Sequence, residues 1–269
     1  MPLSVQLLPT APADRSQTQP LTSFLINNHI ALDAGSFGFA LSADQMADVH
    51  HVILTHTHLD HLASLPIAIA EVYPKLRQPM RVYATPHVLD AVRKHLFNGV
   101  IWPDFSTIKL PAGHGSAMEF HPITPRQPFT LEGLRFTAIP VSHAVPTIGL
   151  IVESEDAALA FTSDTSHTEE IWQHANQRPN LQAVFIDCSF PDEEEELALH
   201  SGHLTPSMVA REAAKLTVLG ARILCVHIKP DTRDKVLAQL QPHRSKRMSP
   251  IEIGKTYHFQ GAPVPHPTP

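Results

Sequence analysis

The sequence predicts an α/β protein. Short apolar runs alternate with segments of helical periodicity along most of the chain. Several of those runs stop at a lone histidine or aspartate. No internal repeat or low-complexity linker interrupts the alternation.

Strands are expected at residues 5–8, 23–26, 30–32, 51–54, 81–84, 134–140, 149–153, 158–162, 183–186 and 222–226. Helices are expected at 66–73, 86–96, 169–175, 206–219 and 232–240. Two of these have start signals. Thr205 precedes Pro206 as an N-cap before a first-turn proline, and Ser64 stands two residues ahead of Pro66.

At 269 residues the chain suits one α/β domain of about 250 residues, with 250–269 as a disordered or peripheral tail. Hydrophobic residues make up 43% and charged residues 17%, as in globular proteins. A net charge of −6 argues against a non-specific nucleic-acid binder, and the basic stretch HRSKR at 243–247 reads as a solvated surface loop. Neither a secretory signal nor a run of roughly 18 apolar residues is present, so no membrane partner is expected. Cys188 and Cys225 sit in apolar runs and read as buried free thiols of a cytoplasmic protein.

The chemistry concentrates in HTHLDH at 56–61, directly after the apolar run VILT. Histidine is the commonest metal ligand, and aspartate neutralises part of a dication's charge. His56 and His58 are two apart and project to one side of an extended backbone. Asp60 and His61 follow as the chain turns and can face a second metal. An exposed, merely histidine-rich loop is the alternative. Three histidines and an aspartate in six residues after a buried strand weigh against it.

More ligands stand at other strand ends. His143 follows FTAIPVS, Asp164 follows ALAFTS and His227 follows ARILCV, the positions where α/β folds build their sites. Each taken alone could equally be a cap or a surface residue. Together with the 56–61 cluster they form a pattern.

HxHxDH followed by single His, Asp and His after successive strands resembles the metallo-β-lactamase superfamily over roughly residues 20–240. The resemblance implies a four-layer αββα sandwich holding two divalent metal ions. His56, His58 and His143 would hold one ion, Asp60, His61 and His227 the other, and Asp164 would bridge both. The donor set favours zinc, while manganese or iron would fit similar ligands. Two dications less the charges of Asp60, Asp164 and a hydroxide leave about one net positive charge, which suits an anionic phosphodiester.

Further stretches are similar to class II cyclic-nucleotide phosphodiesterases: HTHLDH with Leu59, HLFNGVIWPDFSTI at 95–108, PNLQAVFIDCSFPDE at 179–193, HLTP at 203–206 and HIKP at 227–230. Pro66, Ile69 and the TSDTSH context of Asp164 depart from that pattern. This likeness implies hydrolysis of cyclic AMP or cyclic GMP to the 5′-monophosphate, with Asp60 and His203 as catalytic groups. In this reading His203 contacts phosphate and protonates the leaving oxygen, rather than only bonding near a helix start. Phe97, Trp102 and Phe105 would offer an aromatic wall to the base and Asn98 would read its edge, unless these aromatics simply pack the core.

Other readings are a tRNA 3′-processing endonuclease, a lactonase or β-lactamase, and a non-catalytic metal-stabilised binding protein. Residues 81–142 lack the basic, glycine-rich arm that the endonuclease would use, and the HLTP histidine has no obvious task in opening a cyclic amide or ester. A degenerate binding protein would be expected to have lost a ligand. The sequence leaves open the choice between cyclic AMP and cyclic GMP, and whether a homodimer completes the pocket.

Overall fold

The computed structural model describes residues 3–12, 14, 16–111 and 113–261, and it divides the chain into two units of similar construction. The first is Ser4–Thr124 with Ile253–Tyr257, and the second is mainly Pro125–Glu252.

Strict alternation in LSVQL makes the first strand, Leu3–Leu7 (β1), whose Leu3, Val5 and Leu7 are buried. Phe24–Ile26 (β2), Ile30–Leu32 (β3), His51–Ile53 (β4), Met80–Ala84 (β5) and Met118–Pro122 (β6) follow it in order across one sheet. The β1–β2–β3 pairs are antiparallel, and β3 through β6 run parallel. The strand Thr256–Phe259 lies beside β1 at the sheet's edge. Part of the expected tail is therefore an ordered edge strand, and residues 262–269 lie outside the described residues.

Helices Phe37–Ala40 (α1), Ala43–Ala47 (α2), Leu65–Val72 (α3) and Pro86–His95 (α4) belong to this unit. Helix α2 starts with a capping box between Ser42 and Gln45. Helix α4 opens on Pro86, whose fixed φ suits a first turn, and ends in the basic residues Arg93, Lys94 and His95, which suit the C-terminal end of the helix dipole. Ala31, Val52, Val82 and Met118 from alternate strand positions share one core with Leu65, Ile69, Val72, Val88 and Val92 of the helices. Each Val, Leu, Ile or Met among them, fully buried, contributes about 1.5–3 kcal/mol.

The second sheet runs Met248–Pro250 (β13), Arg222–Val226 (β12), Leu181–Asp187 (β11), Ala158–Phe161 (β10), Thr147–Glu153 (β9), Leu134–Val141 (β8) and Pro128–Leu131 (β7). Here β7 to β10 are antiparallel, and β10 to β13 are parallel. Glu170–Asn176 (α5), Glu195–Ser201 (α6), Pro206–Ala213 (α7) and Arg233–Leu240 (α8) pack Trp172, Ala198, Met208, Val209 and Val236 against Val184, Ile186 and Ile223 of the strands. Glu212 of α7 is sealed in this core, where an unpaired carboxylate would cost several kcal/mol. It accepts bonds from the Trp172 indole at 2.7 Å and from Lys215 at 2.8 Å, and its Oε1 lies 2.8 Å from His167 Nδ1.

The expected strands and helices are present, with these departures. Helix α7 ends at Ala213 rather than at 219, because Asn176 bonds Lys215 O and Thr217 N and draws that backbone out of the helical ladder. Thr205 caps α7 as expected, accepting from Met208 N. Ser64 does not cap α3 with its side chain; its hydroxyl donates to Ala34 O at 2.7 Å and accepts from Gly38 N. The basic stretch lies largely in a 3-10 helix, Gln241–Lys246, rather than in an open loop. The strands β6, β7 and β13 and the helices α1, α2 and α6 escaped the sequence reading because they are short or half-exposed. Both cysteines are buried free thiols. Among the described residues no helix is long and apolar enough to cross a membrane.

Candidate metal centre and active site

Strand β4 ends at Ile53, and the next residues turn into the 3-10 helix Leu59–His61, which gathers the histidine-rich motif at the carboxyl end of a parallel strand. The His56 ring lies 4.8 Å from that of His58 and 4.2 Å from that of His61, centroid to centroid. His61 Nε2 is 3.9 Å from Asp60 Oδ2. Gly35 makes the turn feasible. A Cβ there would meet Asp60 O at 1.9 Å, in a segment where Thr22 N donates to that same carbonyl.

Behind the motif stands Asp33, at the end of β3, which the sequence reading missed. Its Oδ2 lies 2.7 Å from His61 Nδ1, and it accepts from Thr55 N at 2.8 Å and from the Thr55 hydroxyl. Thr55 Oγ1 is in turn 2.9 Å from His56 Nδ1. One buried carboxylate thus orients two histidines through their Nδ1 atoms, as metal sites typically do. The signal was legible in IALDAG, an acidic residue ending an apolar run, the same pattern that singled out Asp164.

The second unit brings His143, Asp164 and His227 together from the ends of β8, β10 and β12. His227 Nε2 lies 3.4 Å from Asp164 Oδ2, and His143 Nε2 lies 4.0 Å from it. The first value matches the separation of about 3.4 Å expected for two ligands on one tetrahedral zinc with bonds near 2.1 Å. Gly202 O holds His143 Nδ1 at 2.8 Å, and Ser189 Oγ holds His227 Nδ1 at 2.9 Å. A Cβ on Gly202, whose φ is +77°, would strike the His143 ring at 2.8 Å. Asp33, Ser163 and His227 also have left-handed φ values of 60°, 55° and 62°, each costing roughly 1–2 kcal/mol. Strain of this kind gathers at functional sites.

His203, from the loop between α6 and α7, stacks on His227 with centroids 5.3 Å apart. Its Nδ1 is 2.6 Å from Oδ2 of the fully buried Asp187. Asp187 also accepts from Ser189 Oγ at 2.7 Å and from Thr165 N at 3.1 Å. Burial opposes a charge on His203, but the Asp187 carboxylate outweighs it and holds the imidazole above its ordinary pKa. Donor atoms of Asp164, Asp187, His203 and His227 all lie within 4.8 Å of one another, which sets the His203–Asp187 pair directly beside the histidine and aspartate proposed as ligands. Asp187 too was missed, although VFIDCS carries the same signal as IALDAG.

The sequence model of the β-lactamase superfamily domain matches residues 24–228. The chain belongs to the metallo-β-lactamase superfamily. Its two mixed seven-stranded sheets, each with its own helices, are the α/β construction of that superfamily. Among curated relatives of this superfamily chain, it is 26% identical over 301 residues to a probable 3′,5′-cyclic-nucleotide phosphodiesterase of Yersinia pestis, covering 89% of this chain and 85% of the relative. It is 24% identical over 226 residues to 3′,5′-cyclic-nucleotide phosphodiesterase 1 of Saccharomyces cerevisiae, covering 71% of this chain and 60% of that one. Among solved structures it is similar to unliganded yeast PDE1, with a TM-score of 0.79 at 16% identity over 96% of this chain and 99% of that one.

Within the superfamily fold, the residues expected to meet a nucleobase fall elsewhere. Phe97 and Phe105 are buried in the core of the first unit, and Phe97 packs on Phe120. Trp102 is partly buried against the same core. Asn98 closes its own loop, donating to Lys94 O and accepting from Val100 N and Ile101 N. An apolar ring is more stable filling that core than facing water, so Phe97 and Phe105 are spent on packing.

Proposed function

We propose that this chain is a phosphodiesterase hydrolysing 3′,5′-cyclic nucleotides, cyclic AMP or cyclic GMP, to nucleoside 5′-monophosphates, with residues 1–269 working as a single hydrolase domain. The observation that carries the reading is the His203–Asp187 pair stacked against His227, in a chain whose curated relatives carry the phosphodiesterase name. His56, His58 and His143 would hold one divalent ion, Asp60, His61 and His227 a second, and Asp164 both. The donor set of imidazoles and carboxylates favours zinc. Ions so held supply a Lewis acid for the phosphoryl oxygens and lower the pKa of water toward about 7.

The chain's own residues do the rest. Asp60 accepts a proton from the water that attacks phosphorus. The bond from phosphorus to the 3′ oxygen breaks, and the bond to the 5′ oxygen stays. With Asp187 on Nδ1, His203 presents a proton at Nε2 and delivers it to the departing 3′ oxygen. Ser189 and Thr165 N keep Asp187 oriented while that proton leaves. We place this activity in the cytoplasm, where Cys188 and Cys225 stay reduced.

The test is an assay of purified protein of known metal content against cyclic AMP, cyclic GMP and bis(4-nitrophenyl) phosphate. Conversion of a cyclic nucleotide to its 5′-monophosphate, lost with chelator and restored by zinc or manganese, is expected. Cleavage of the generic diester alone would move the natural substrate elsewhere.

A further inference from the structure

His203 is held at one edge by hydrogen bonding and around its plane by three rings, all within the second unit. Asp187 Oδ2 fixes Nδ1 at 2.6 Å, while Nε2 has no hydrogen-bond partner among the described residues. A ring pinned at one nitrogen can still swing about its last side-chain torsion, which is broad for histidine. Such a swing takes Nε2 off the line on which it delivers a proton, and small misplacements of a reacting group are costly. The plane is therefore left to packing. His227 stacks on the imidazole at 5.3 Å and 14°, centroid to centroid. His143 meets it at 4.9 Å and 66°, and Phe190 at 5.7 Å and 66°, both edge-on.

Of these three rings, Phe190 is the one that carries no donor atom and is not proposed as a ligand. Its backbone belongs to the same fold of chain as His203. Ser189 N and Phe190 N both donate to Leu204 O, at 2.9 and 3.3 Å, and Leu204 directly follows His203. The Phe190 side chain is partly buried against the core of the second unit, which anchors it. A donor atom of His203 lies within 4.8 Å of those of Asp164 and His227, so the imidazole that Phe190 touches is in reach of two proposed ligands. Resting on the phosphodiesterase reading, we infer that Phe190 is a positioning residue, which holds the plane of the His203 ring so that Nε2 faces the leaving oxygen of the substrate. The step it serves breaks the bond from phosphorus to the 3′ oxygen. The electron pair stays on that oxygen, and the proton on His203 Nε2 moves to it. Phe190 acts through His203 alone, so its influence is confined to substrates whose leaving oxygen needs a proton.

The probe pair is cyclic AMP, whose leaving group is an alkoxide, and bis(4-nitrophenyl) phosphate, whose 4-nitrophenolate is a weak base and leaves without a proton. Phe190→Ala is expected to lower kcat for cyclic AMP on the order of 10–100-fold, with KM and metal content unchanged. Turnover of the nitrophenyl diester should stay at the wild-type level. Phe190→Tyr keeps the ring and should keep the wild-type kcat. Phe190→Leu keeps the apolar volume without the flat ring, so it should share the loss, and it stands in should Phe190→Ala fail to fold. Added to His203→Ala, Phe190→Ala should cost nothing further. Equal losses on both substrates, a raised KM at unchanged kcat, or a further loss in the His203→Ala background would overturn the positioning role and leave the phosphodiesterase reading standing. A readout independent of activity is the NMR order parameter of the His203 ring in chelated protein. It should fall in Phe190→Ala and hold in Phe190→Tyr, and an unchanged value in Phe190→Ala sinks the inference. Failure of the wild type to hydrolyse any cyclic nucleotide sinks the activity instead, and the order parameter then still decides whether Phe190 holds the ring.

Discussion

Asp33 Oδ2 lies 2.7 Å from His61 Nδ1, and both side chains are almost sealed from solvent. The same carboxylate holds Thr55, whose hydroxyl touches His56. Asp33→Ala should therefore loosen two proposed ligands at once and weaken metal binding by about 10–100-fold. Titration of chelated protein with zinc measures this. An unaltered affinity would reduce Asp33 to a packing residue.

Asp164 faces both His143 and His227. Asp164→Ala is expected to abolish activity and to leave one bound ion or none by elemental analysis. A fully metallated, active variant would remove Asp164 from the site.

His203 and Asp187 should separate chemistry from metal binding. His203→Ala is expected to keep both ions and lower turnover on the order of 10²–10⁴-fold. Loss of metal in that variant would make the histidine structural instead. In chelated protein, Asp187→Asn should lower the His203 pKa seen by NMR, since Asp187 is what raises it against burial. The sign for stability follows. A raised folded-state pKa gives a contribution fully present below the unfolded histidine value, and lost as pH rises through the folded one. The apo wild type should thus lose more stability than Asp187→Asn on going from mildly acid to mildly alkaline pH.

Gly35 is fixed by contact rather than by conformation, since its Cβ would lie 1.9 Å from Asp60 O and 2.6 Å from Thr22 N. Gly35→Ala should destabilise the fold by about 1–3 kcal/mol or more and lower metal occupancy, because the backbone of Asp60 must move. A variant with unchanged Tm and full occupancy would show that the turn can give way freely.

What the sequence alone made legible was the α/β alternation, the positions of the main strands along the chain, and the polar residues at strand ends that are proposed as ligands. These were readable because each signal is local. A buried strand is a run of apolar residues, and a ligand at its end is the polar residue that stops it. The tertiary structure decided what depends on residues distant in sequence. It paired Asp33 with His61 across 28 positions and Asp187 with His203 across 16. It gave Phe97 and Phe105 to the core and closed a loop around Asn98, where the family likeness had left open a wall for the base or plain core packing. An aromatic residue's pattern in sequence is the same whether it packs or binds. The choice belongs to the neighbours that the fold brings against it, here Phe120 and helix α4 rather than a ligand.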